Sequence, residues 1–153
     1  MLNKKTILLF LVLFVLVFIY FYSVINVEVV KSIEGVIVST DMDVQEEVLV
    51  TINGELDNRL LEENVLLIRI AFGNKSYDAM LKKENEYYQG TAYIVKDNNE
   101  LTEAGSVALS TNFDFFWADI DEIDEEYNLD TLIVAPAKNK EEAINVEKEI
   151  FGK

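Results

Sequence analysis

Six acidic residues fall within eight positions, Asp119, Asp121, Glu122, Asp124, Glu125 and Glu126, and such a run is the first place to look for a cation site. Hard cations such as calcium take six to eight oxygen ligands. The spacing is unsuited to a calcium loop of the helix–loop–helix type. That loop requires glycine at its sixth position, which counted from Asp119 is Asp124, and Ile120 and Ile123 interrupt the run. The run therefore reads as a solvated loop that contributes charge, and no metal ligand is assigned. Asp41 and Asp43, with Glu46 and Glu47, form a second group. Paired carboxylates can hydrolyse glycosidic bonds by acid–base catalysis, but in a chain with 28 acids nothing singles out one pair. No catalytic residue is assigned.

The chain has no His and no Cys. That removes Ser-His-Asp triads, cysteine nucleophiles, imidazole or thiolate metal sites and disulfides. No cofactor is implied. The aromatic segment Phe113, Phe115, Phe116 and Trp117 is a different kind of signal, because it puts large rings on both faces of one strand. One face belongs to a core. The other is covered by a helix, with Phe116 beneath it, or meets a partner, and these four residues are the candidate partner-binding site. Arg69, inside an apolar strand, is expected to point outward and pair with a carboxylate. Asn74-Lys75-Ser76 matches the glycosylation triplet, which chance explains.

These residues must be held by the elements around them. From Ile7 to Ile25 the chain carries no charge, and these 19 residues rise about 28 Å as a helix, close to the hydrocarbon thickness of a bilayer. Lys4 and Lys5 precede the run, and the first acid, Glu28, follows it, so residues 1–5 are expected to be cytoplasmic and the domain beyond the anchor extracytoplasmic. A cleaved signal peptide is the rival reading, but with Ser23 as the last residue removed, Phe21 would occupy a position that requires a small side chain. Beyond the anchor the chain carries 28 acids against 11 bases, a formal charge of −17. A surface that acidic repels phosphate, which argues against nucleic acid as a partner.

The next segment, 28–45, reads as a stalk or first strand, and 46–153 as an acidic β-rich domain. EEVLVTING alternates and offers Asn53-Gly54 as a turn. In VLLIRIAF, Leu66, Ile68, Ile70 and Phe72 point one way and Arg69 the other, before a turn at Gly73-Asn74. YYQGTAYIV and SVALSTNFDFFWADI continue a β-meander. DIDEIDEEYNLD reads as a charged surface loop, and TLIVAPA as a strand stopped by Pro136. NKEEAINVEKEIFGK changes period. Asn139 caps a helix from about 140 to 151 with Glu142 three residues on, and Ala143, Val146, Ile150 and Phe151 form its apolar stripe before Gly152.

Through PAKNKEEAINVEKEIF and VTINGEL followed by a meander, the chain resembles a group of small bacterial single-pass membrane proteins of unknown function. The resemblance implies a β-rich extracytoplasmic domain, and its motifs are caps and turns that supply no catalytic residues. The expected fold is α+β: a transmembrane helix at 6–27, then an antiparallel meander with one C-terminal helix. The expected function is a non-enzymatic interaction module tethered to the cell membrane, with a protein or envelope component as its partner. The alternatives are an anchored hydrolase using Asp and Glu, or a cation-responsive sensor.

Overall fold

The computed structural model describes residues 4–23, 27–39, 43–57, 65–95 and 100–152. Helix α1 (Lys4–Ser23) precedes β1 (Val27–Ser39), β2 (Val44–Asp57), β3 (Val65–Phe72), β4 (Lys75–Glu84), β5 (Tyr87–Val95), β6 (Leu101–Ser110) and β7 (Phe116–Ile120). Then follow α2 (Asp121–Tyr127), β8 (Thr131–Ala135) and α3 (Lys140–Phe151). Each strand pairs antiparallel with its sequence neighbour, and β8 returns to β1 through Val36↔Val134 to Ser39↔Thr131. The expected open meander is thus corrected: the sheet closes into an eight-stranded barrel. Closure removes the two free edges that a meander would expose.

Other expectations change with it. Asn53 and Gly54 are no turn. They lie inside the 14-residue β2, opposite Arg69 and Ile68, and a Cβ on Gly54 would stand 2.1 Å from the Leu67 carbonyl oxygen, so glycine serves close strand approach here. Of the two readings of 28–45, stalk or first strand, the structure shows the strand, β1. Asp121–Tyr127 is helical, so among the described residues there are two helices beyond α1 where one was expected. No helix is long and apolar enough to cross a membrane among the described residues. Helix α1 has 20 residues, and its apolar side chains from Leu9 to Ile19 are 45–71% exposed.

Several local expectations are met. Gly73 takes φ 57° at the β3–β4 turn, and Pro136 directly follows β8. Helix α3 spans the anticipated residues, with Asn139 Oδ1 accepting from the Glu142 N–H at 3.0 Å and Asn139 Nδ2 donating to Glu142 Oε1 at 3.0 Å. Gly152 ends it at φ 66°.

Alternation sorts side chains between two cores. Ile52, Leu66, Ile70, Tyr77, Leu81, Leu109, Phe116 and Ile133 fill the barrel, and Phe72 stacks on Tyr77 at 5.4 Å. Outside it, Ala143, Val146 and Ile150 of α3 cover Val36, Val38, Ala108 and Val134. Each large aliphatic side chain buried there contributes about 1.5–3 kcal/mol. Beyond Ile120 the chain leaves the wall as α2, and Ile123 enters the interior core from the end of the barrel.

Candidate functional site

The aromatic segment is divided by strand parity. Phe116 points into the barrel and is fully buried. It is not under α3, where the sequence put it, and it presents no surface to a partner. Its neighbour Trp117 faces outward and is the ring that α3 covers, meeting Phe151 edge-on at 5.1 Å and 87°. Phe115 packs with that outer cluster. Phe113, at φ 60°, stacks on Tyr88 at 6.0 Å and packs against the interior cluster. The four rings therefore serve two separate cores and do not form one exposed patch. Trp117 Nε1 is buried and finds no hydrogen-bond partner among the described residues, the feature of this segment that packing leaves unexplained.

The acidic run holds the barrel end together. The Tyr77 hydroxyl donates to Glu122 Oε2 at 2.8 Å, and Lys75 Nζ lies 2.7 Å from Glu126 and 3.5 Å from Glu122. Burial pulls the Lys75 pKa down, but Glu126 and Glu122 outweigh it and the net shift is upward. Burial and the Glu122 contact raise the Tyr77 phenol. Asp124 Oδ1 accepts from both Thr131 N and Thr131 Oγ1 at 2.7 Å, tying α2 to β8. The Tyr127 hydroxyl donates to Glu46, which pushes Tyr127 up to about 12. Asp43 accepts a long 4.0 Å ion pair from Lys140, Glu47 is exposed, and Asp41 lies outside the described residues. Among the described residues no group of three or more acids is placed to hold a metal ion.

A small hollow of about 90 Å³ lies beside Glu46, Lys75, Glu126 and Tyr127, and a larger concavity lies on the outer wall of β1–β6. A groove of about 850 Å³ is lined by Glu28, Asn53, Glu55, Leu67, Arg69, Asp78, Met80, Tyr93 and Leu101, with backbone near Gly54, Ile68 and Ala79. Strand register builds it. Asn53, Arg69, Asp78 and Tyr93 stand opposite one another along one row across β2–β5, and Glu28, Glu55, Leu67 and Met80 along the next across β1–β4. Arg69 Nε and Nη2 donate to the two Asp78 carboxylate oxygens at 2.7 and 3.1 Å, the outward ion pair expected for Arg69. That contact raises the Arg69 pKa. Leu67, Met80 and Leu101 stand 51%, 50% and 62% exposed on a wall where outward positions otherwise carry mostly polar or charged groups. A second groove of about 480 Å³ shares Met80 and Tyr93 with the first and reaches Trp117 and Phe151.

Sequence reasoning passed over Leu67 and Met80. The available signal was parity: in VLLIRIAF, Leu67 shares the outward face of Arg69, so an apolar residue there stands in water unless something covers it. No protein family, curated protein or solved structure matches this chain.

Proposed function

We propose that this protein is a non-enzymatic interaction module, tethered at the cell membrane through residues 6–27, with its N-terminus cytoplasmic and its barrel extracytoplasmic. The observation that carries the reading is the outer groove, where Leu67, Met80 and Leu101 expose about half or more of their surface beside Tyr93. Exposed apolar side chains lining a concavity mark recognition sites. The exposed apolar side chains Leu9–Ile19 of α1 and the preceding lysines support the tether. Tethering confines the barrel beside its partner, so a modest contact is well occupied through effective concentration.

A carboxylate-only hydrolase requires a pKa-shifted acid in a cleft. Asp119 is raised by burial and by Asp124, Asp121 and Asp130, but it lines neither groove. Because Phe116 is core, the groove and not the aromatic segment is the surface to probe. A photoreactive residue placed at Leu101 in intact cells should give one discrete adduct, lost when Leu67 and Met80 are changed to serine. The same probe at Val44, outside the groove, should give none. Equal adducts from both positions, or no adduct at Leu101, would overturn the reading.

A further inference from the structure

Closure does not run the length of β1. On one side the strand pairs with β2 from Val27↔Leu56 to Val38↔Val44, whereas on the other β8 meets it from Val36↔Val134 to Ser39↔Thr131. Past Ala135 the chain follows β1 one step further, where the Ala137 N–H donates to the Glu34 carbonyl at 3.4 Å, and it then departs through Asn139 into α3. The Glu34 carbonyl therefore faces away from β2. Backbone groups alternate sides along a strand, so the N–H and C=O of Ser32 and Val30 face the same way. Among the described residues no backbone group bonds to that edge before Glu34. Val30 is 66% exposed and Ser32 is exposed as well, so this stretch stands open to water.

A row of unpaired donors and acceptors along a strand is matched by another extended chain. The side chains of this stretch define which chain. Inward, Val29 and Ile33 already belong to the interior cluster, and Lys31 Nζ lies 2.6 Å from Asp114 Oδ1. An inward charge commonly guards an edge against pairing, but here Asp114 neutralises it. Outward stand Glu28, Val30 and Ser32, all exposed. A second copy would bring another chain of formal charge −17 beyond its first five residues to the same edge, and that repulsion favours a different, basic partner. We infer that residues 28–33 of β1 accept an extended segment of a partner protein as an added strand, with an apolar side chain against Val30 and Lys or Arg against Glu28. This goes beyond the groove reading. Neither Val30 nor Ser32 lines the groove, so either reading can fail alone.

The test uses the full chain in zwitterionic nanodiscs and an extended peptide of about seven residues, Val alternating with Thr and a Lys at each end. A counterpart carries an N-methyl group on every interior amide, which deletes its donors and keeps its side chains. In the free chain the Val30 and Ser32 amides are expected to exchange quickly with solvent, and those of Lys31 and Ile33, which face β2, slowly. The peptide should slow exchange at Val30 and Ser32 by at least about tenfold, and the N-methylated form should not. Ser32→Pro removes a donor from the open edge and none from the β1–β2 ladder, so it should weaken the peptide by about tenfold or more in fluorescence anisotropy. The N-methylated peptide makes the same comparison on the unaltered chain. Slow exchange at Val30 and Ser32 without peptide would show the edge already covered. Equal protection by both peptides, or protection by neither, would overturn the added strand. Protection without peptide that grows with the number of chains per disc would assign the edge to a second copy and overturn the choice of partner.

Discussion

Asp119 occupies an outward position on β7 with Asp121, Asp124 and Asp130 around it, and both burial and these like charges hold its pKa above the ordinary carboxylate value. A raised folded-state pKa means that the folded chain holds this proton more tightly than the unfolded chain. The stabilisation is fully present below the unfolded value, about 3.9, and is lost as pH rises through the folded value. At neutral pH the ionised Asp119 therefore opposes folding. Asp119→Asn should raise Tm at pH 7, and that advantage should vanish near pH 3, where both chains are uncharged at the site. Thermal scans at the two pH values check this, and an equal gain at both would show that the charge is not the cause.

At the scale of elements, α2 is the least expected part of the molecule and the one that finishes the barrel. It has seven residues, too few to be stable alone, and five of them are acids. Its stability comes from Ile123, 3% exposed within the interior cluster, together with the ties from Tyr77, Lys75 and Thr131. An exposed ion pair contributes about 0–1 kcal/mol, whereas truncating a buried isoleucine costs about 2–5. Ile123→Ala is accordingly expected to destabilise the barrel by about 2–5 kcal/mol in denaturant titration, and Glu125→Gln by less than about 0.5. Similar losses for the two would mean that charge, not burial, holds the plug. Helix α3 differs because it carries its own capping box and left-handed glycine terminus, so its limits are written locally.

For the whole molecule the proposed tether fixes orientation. Only residues 1–5 should be cytoplasmic, with the barrel reached from outside. Protease added to wall-stripped cells is expected to degrade the barrel and leave an N-terminal epitope tag protected. A mature chain beginning near residue 24, read by N-terminal sequencing, would refute retention of the anchor. The fold bears on this experiment, since a closed barrel with a filled core resists cleavage except in its loops. The degradation should therefore be carried out with enough denaturant to open the barrel partly without lysing the cells.

By itself the sequence determined what local physics controls. Asn139, Glu142 and Gly152 mark the ends of α3, Gly73-Asn74 makes a turn, Arg69 takes an outward carboxylate partner, and the β3 alternation sets its inward face. Tertiary structure decided what depends on partners far along the chain. Closure of β1 on β8 rests on four residue pairs between segments about a hundred positions apart, and no local pattern specifies that register. Gly54 looked like a turn because the carbonyl of Leu67 that excludes a side chain there belongs to another strand. Phe116 and Trp117 are both large rings in sequence, and only the direction of β7 relative to the barrel sends one inward and the other beneath α3. The groove is the extreme case. Leu67, Met80, Tyr93 and Leu101 come from four strands, and they line one groove because antiparallel register brings them to one side of a closed wall.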